Sequence, residues 1–244
     1  MSANAKLAVL IDADNAQSSI IKELLEEVST YGTASIKRAY GDWTTTNLKG
    51  WKDTLHMMAI QPIQQFSYTT GKNSTDSSLI IDAMDLLHAQ KLDGFCLVSS
   101  DSDFTRLATR IREAGLLVYG FGEKKTPDAF VAACDKFIFT EILRPVPFAS
   151  DTKKLGKASD KPTTIDLGDT EEIVRKAITV SAKDDGFAPL SAVGTLILKT
   201  SPSFDPRNYG CQKLGELMRK LPFVEVRDAY GEKSPGAQPY IRLK

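Results

Sequence analysis

Along the first part of the chain, apolar residues fall in short unbroken runs separated by stretches with helical spacing. Residues 6–11 and 95–98 are runs of strand length, continuous enough to be buried on both faces of a sheet. Residues 33–40, 60–68, 116–119 and 136–139 also read as strands. Between them Ile20, Ile21, Leu24, Leu25 and Val28 recur at helical spacing. Helical patterns also cover residues 48–59, 76–89, 104–114 and 128–134, and Gly115 stands where a helix would close. Alternation of strand and helix predicts an α/β domain: a largely parallel sheet with helices on both faces.

The pattern changes after residue 143. Arg144, Pro145 and Pro147 interrupt regular structure, and residues 150–164 are rich in Lys, Asp, Ser and Pro with few apolar positions. Residues 146–167 therefore read as a flexible, charged linker. From residue 168 onward the order resumes. Helices are expected over 171–181, 192–199 and 210–220, with an extended piece at 187–191 and a turn over 201–209. Strands at 223–226 and 239–242 would pair as a wing, giving a small winged-helix domain over 168–244. The first domain then spans 1–145.

Composition narrows the functional classes. The 244 residues are 42% hydrophobic and 25% charged, ordinary for a globular protein. Lys+Arg 31 balances Asp+Glu 31, so no global basic field draws in nucleic acid. Residues 168–244 hold 12 Lys+Arg against 10 Asp+Glu, a net of +2 and a weak signal. Cys96, Cys134 and Cys211 are few, odd in number and far apart, which fits a reducing compartment better than a disulfide framework. No basic-then-apolar leader opens the chain and no apolar run reaches membrane length. The expectation is a soluble cytoplasmic protein with no membrane partner.

The chemistry-bearing signal is acid at strand ends. Asp12 ends the first run, Asp76 opens the 76–89 helix, and Asp101 and Asp103 follow the fourth strand. In a parallel sheet these positions converge at the C-terminal edge, where α/β ligands bind. There is neither GxGxxG after the first strand nor GxxxxGK[ST], which weakens nucleotide-binding versions of the architecture. Taken singly, Asp76 and Asp103 have an equal claim as helix caps, and Asp103 is expected to cap the 104–114 helix while facing the site. Asp14 reads as turn chemistry behind the ligands, and Asp82 and Asp85 as a solvated helix face. His56 and His88 lack acidic or Ser partners nearby. Four carboxylates at equivalent ends favour a cation, because grouped like charges are otherwise costly. Oxygen-only donors point to Mg²⁺ or Mn²⁺, ions that activate water and stabilise charge on a phosphoryl group.

Leu-Ile-Asp12-Ala-Asp-Asn15, Gly71-Lys-Asn-Ser-Thr-Asp76 with its helix, and Val-Ser-Ser-Asp101-Ser-Asp103-Phe closely resemble the NYN domain. Gly120-Phe-Gly-Glu and Asp128-Ala-Phe-Val-Ala-Ala-Cys134-Asp share in the resemblance, which covers about residues 5–145 and looks like the bacterial LabA/DUF88 branch. It implies a PIN-like fold and a metal-dependent ribonuclease, an endonuclease being the expected mode. Carried over by position, Asp12, Asp76 and Asp101 would be the principal ligands and catalytic acids, with Asp103 as the fourth. Asn15 would orient the first loop, and Lys72, Ser99 and Ser100 would lie near the substrate phosphate. The family also has members with no demonstrated nuclease activity. A regulator that only binds RNA or protein is therefore the rival reading, and a nuclease acting on DNA a third.

Gly186-Phe-Ala-Pro-Leu-Ser, Phe204-Asp-Pro-Arg-Asn-Tyr-Gly210, Lys213-Leu-Gly-Glu-Leu217 and Leu221-Pro-Phe-Val-Glu-Val226 look like an OST-HTH/LOTUS domain. That resemblance implies RNA binding and, in some members, recruitment of protein partners. Arg207, Asn208, Tyr209 and Lys213, with Arg219, would offer phosphate donors and one stacking surface. The competing assignment puts Phe204 and Tyr209 in the core, with Asp205-Pro206 as a helix-start turn. Oligomeric state is left open, a homo-oligomer included.

Overall fold

A computed structural model describes residues 5–66, 74–89, 91–144, 168, 170–227 and 239–244. The chain divides into two compact units, Met1–Arg144 and Pro145–Lys244. In the first, β1 (Lys6–Asp12), β2 (Thr33–Gly41), β3 (Gln61–Gln64), β4 (Gly94–Val98), β5 (Leu117–Gly122) and β6 (Lys136–Phe139) form one parallel sheet. Its order is β3-β2-β1-β4-β5-β6. The chain runs outward one way from β1 and then restarts at β4 on the other side. The β1/β4 boundary is thus the switch point at which strand ends part to admit a ligand.

Strand alternation sorts the side chains. Leu7, Val9 and Ile11 of β1 join Cys96 and Val98 of β4 in one core, packed on α1 (Ile21–Ser29) and α2 (Trp51–Met57). Ala8, Leu10, Phe95 and Leu97 face the other way. They pack with α3 (Ser74–His88), α4 (Thr105–Glu113) and α5 (Asp128–Ala133). By the same alternation Asp12 and Ser99 continue the second face, toward α3 and α4. Both cores bury essentially complete side chains, which is why Leu7–Ile11 and Phe95–Val98 are unbroken apolar runs.

Two elements of this unit are shorter than their sequence patterns suggest. The 60–68 strand contracts to β3, an edge strand whose Pro62 is tolerated because it needs no inner ladder bond; residues 67–68 lie outside the described residues. The 48–59 helix splits into a 3-10 turn at Thr46–Leu48 and α2, with Gly50 as the helix cap. At α4 the expected end holds: Gly115 has φ +82°, a left-handed conformation open to glycine.

The second unit packs α6 (Thr170–Ser181), α7 (Leu190–Thr200) and α8 (Leu214–Lys220) beside a small antiparallel sheet. Its strands are β7 (Ala188–Pro189), β8 (Val224–Arg227) and β9 (Tyr240–Leu243), in the order β7-β9-β8. β8 and β9 pair as the expected wing; the expected 187–191 piece contracts to Ala188–Pro189 as the third strand, and α7 begins at Leu190, earlier than the expected 192. The third helix begins at Leu214, later than the expected 210. Gly210, at φ +69°, closes a 3-10 turn at Pro206–Tyr209 and prevents continuous helix. The expected linker, 146–167, lies outside the described residues.

Candidate metal centre

Asp12 is fully buried at the tip of β1. Its Oδ2 accepts from Ser99 Oγ at 2.7 Å and from Asn15 Nδ2 at 2.8 Å. Its Oδ1 is buried with no hydrogen-bond partner. A buried carboxylate oxygen left unpaired is expensive, and a cation is the partner that would satisfy it. Burial raises the Asp12 pKa above the ordinary carboxylate value and the Asp14 charge adds to this, while the bonds from Ser99 and Asn15 oppose it.

Asp101 follows β4. Its backbone N–H donates to Ser99 Oγ at 3.1 Å, and its Oδ1 accepts from the Asp103 N–H at 2.9 Å. Asp101 is therefore the cap of the Ser102–Phe104 turn, in place of the cap expected from Asp103. Asp76 projects from the first turn of α3. Carboxylate oxygens of Asp76, Asp101 and Asp103 come within 4.8 Å of one another. Asp12, outside this closest group, contributes the largest neighbouring charge felt by Asp76. Burial first, then the charges of Asp12, Asp101, Asp103 and Asp14, push the Asp76 pKa up to about 6.

Three of the four expected acids, Asp76, Asp101 and Asp103, form this close group, and Asp12 is linked to it through Ser99. An all-oxygen donor set of this kind suits a hard divalent cation. Ser99 ties Asp12 to the Asp101 turn by bonding both. Ser100 Oγ accepts from the Glu123 N–H at 2.8 Å and links β4 to the end of β5. Both serines are engaged inside the protein. Gly122 makes their loop fit, since a Cβ there would sit 2.6 Å from the Ser99 carbonyl oxygen. Lys72 lies outside the described residues.

Two contacts had no signal in local sequence. Asp82 meets Arg38 Nη1 at 2.6 Å and accepts from the Tyr40 hydroxyl, so it ties α3 to β2 instead of facing solvent. Glu123 accepts from Gln17 Nε2 at 3.1 Å and pairs with Lys125 at 2.8 Å, and this hydrogen-bonded lysine lowers the Glu123 pKa. Each joins segments far apart in the chain; only the clustering of polar residues at strand ends hints at them.

In the second unit the expected RNA-contacting residues separate. Arg207 donates to Asp205 through its backbone N–H, Nε and Nη2 at 2.9, 2.9 and 2.7 Å. The Tyr209 hydroxyl lies 3.0 Å from Thr170 Oγ1, and its ring lies 5.9 Å from that of Phe204. Phe204 is buried and Asp205 caps the turn, as the competing assignment held. Asn208 Nδ2 donates to the Ser203 carbonyl at 3.2 Å. Lys213 is exposed and shares a groove with Arg219, between α7 and α8.

A parallel α/β sheet with carboxylates gathered at its switch point is the architecture of PIN-like nucleases. The NYN domain profile matches residues 6–143, so the chain belongs to the NYN-domain family of that superfamily. The OST-HTH/LOTUS domain matches residues 169–233. No curated protein matches the chain. Among solved structures, a protein of unknown function from Vibrio parahaemolyticus is 18% identical, covering 56% of this chain and 93% of that one, with a TM-score of 0.47. An uncharacterized Nitrosomonas europaea protein is 23% identical over 38% of this chain and 90% of its own, with a TM-score of 0.30. A Chromobacterium violaceum fragment is 35% identical over 34% of this chain and 87% of its own, with a TM-score of 0.26. At these TM-scores the three similarities carry no argument about function.

Proposed function

We propose that the chain is a divalent-metal-dependent ribonuclease whose second domain binds RNA. The observation that carries this reading is the set of four acids at the β1/β4 switch point, with one buried Asp12 oxygen unpaired and Asp76 raised to about 6 by its neighbours. Asp76, Asp101 and Asp103, with the unpaired Asp12 oxygen, would hold Mg²⁺ or Mn²⁺. The chemistry supplied there by such an ion, when bound, would be activation of a water and stabilisation of charge at the scissile phosphate.

The protein's own residues prepare the site. Ser99 and Asn15 hold one oxygen of the Asp12 carboxylate and leave the other buried and unpaired. Asp101 holds the Asp103 turn in place through the Asp103 N–H. The Arg38–Asp82–Tyr40 contact anchors α3, and through it Asp76, against the sheet. The OST-HTH/LOTUS domain supports RNA as the substrate class and also leaves room for a protein partner. Among the described residues no helix is long and apolar enough to cross a membrane. Free, buried Cys96, Cys134 and Cys211 support a cytoplasmic location.

The test is purified protein with labelled single-stranded RNA in Mg²⁺, Mn²⁺ or EDTA, beside a DNA control. Cleavage in metal, its absence in EDTA and its loss in Asp101→Asn are expected. Undiminished cleavage by Asp101→Asn, or none by the wild type in either metal, would defeat the enzyme reading and leave a non-catalytic binder on the same scaffold.

A further inference from the structure

The small sheet of the second unit has an outward face built unlike an ordinary solvated one. In the β8–β9 register Val224 pairs with Leu243 and Val226 with Ile241, and these side chains pack in or against the core. Glu225 with Arg242 and Arg227 with Tyr240 take the opposite face. Phe187, just before β7, lies beneath two guanidinium groups: the Arg242 Cζ is 4.7 Å from its ring centre and the Arg227 Cζ 5.6 Å. Lys183 Nζ stands 5.5 Å from the centre of the Tyr240 ring. Two aromatic rings and three cations therefore share one face.

Charge on this face is only partly satisfied. Arg242 is held by Glu225, with both contacts at 2.7 Å. The Asp185 carboxylate is engaged by the Phe187 N–H at 3.0 Å. Arg227 and Lys183 are exposed and have no carboxylate partner among the described residues. Planar guanidinium over aromatic rings, with unneutralised cations beside them, is the chemistry that stacks unpaired bases and neutralises the adjoining phosphates.

We infer that single-stranded RNA binds across this face, with bases stacking on Tyr240 and on the Arg227/Arg242 layer over Phe187, and with Lys183 and Arg227 meeting the backbone. The inference rests on the RNA-binding reading of the second domain and assigns it a different surface from Arg207, Asn208 and Tyr209, which are engaged within the domain. The rival surface is the groove of Lys213 and Arg219.

The experiment is fluorescence anisotropy of the full chain in EDTA with labelled oligo-uridine, where cleavage cannot interfere. Arg227→Gln and Arg227→Gln/Tyr240→Ala are compared with Lys213→Gln/Arg219→Gln. The double sheet variant is expected to weaken binding about tenfold or more, and Arg227→Gln about threefold with a shallower salt dependence. The groove variant should stay within about twofold of wild type. Arg227 is exposed, so the single variant decides the matter if the double variant melts early. Wild-type affinity in the sheet variants, or no binding of single-stranded RNA by the wild type, overturns the inference. Cleavage in Mn²⁺ is scored separately, so failure of this surface and failure of the nuclease reading give different results.

Discussion

The acids of the first domain and four bases of the second stand in opposite electrostatic situations. Asp76, Asp101 and Asp103 crowd together with Asp12 near them, and this crowding makes Asp76 reluctant to ionise. In the second unit Arg207 sits on Asp205, Arg175 on Glu171, Lys220 on Glu216 and Arg242 on Glu225. Charges that find opposite partners within the fold contribute to structure. Like charges held together against repulsion need a partner from outside. That contrast supports the proposal that the carboxylate edge is a ligand site, while Arg207 is engaged within its own domain despite its place in a recognisable motif.

The contrast can be broken most forcefully at Asp101. Asp101→Asn should lower metal-dependent RNA cleavage by about a hundredfold or more while leaving the fold intact, because it removes one charge from a group of four. Asp205→Ala should do the reverse. It removes both a turn cap and the partner of Arg207, and should destabilise the second domain by about 2 kcal/mol, read as a lowered melting transition, without changing cleavage of short RNA.

A pH experiment sharpens the comparison at smaller scale. The Asp76 pKa is raised, so the folded protein holds this proton more tightly than the unfolded chain. Its ionisation therefore erodes stability as pH rises from about 4 to about 6 in the absence of metal. Asp76→Asn in EDTA should stabilise the protein at pH 7 by about 1 kcal/mol, allowing for the solvent screening of a half-buried group, and should have little effect near pH 4. Destabilisation at pH 7 would mean that the crowding is compensated within the fold. The smallest effect is expected at the exposed Glu216–Lys220 pair on α8, where Lys220→Gln should leave the melting temperature unchanged.

The parts of the fold legible in sequence are those with strong local causes. β1 and β4 stood out because burial on both faces demands unbroken apolar residues, and the acids stood out because nothing in packing explains them there. The shorter α8 depended on a left-handed Gly210, which periodicity does not report. Ser99 and Ser100 stand in the loop after β4, and their bonds to Asp12 and Glu123 join residues far apart in the chain. The same holds for Arg38 and Asp82, whose charges meet only after α3 crosses β2. Arg207, Asn208 and Tyr209 show the converse limit: residue types suited to RNA become structural once Asp205, Ser203, Phe204 and Thr170 are beside them.

The central claim is that the carboxylate edge holds a divalent cation. It is tested most directly by titrating the metal-free full chain with Mn²⁺ and following the free-ion signal by electron paramagnetic resonance. Wild-type protein should suppress that signal, and Asp101→Asn should restore it at the same concentrations. A free-ion signal at full amplitude with wild-type protein, or suppression unchanged by Asp101→Asn, would contradict the account.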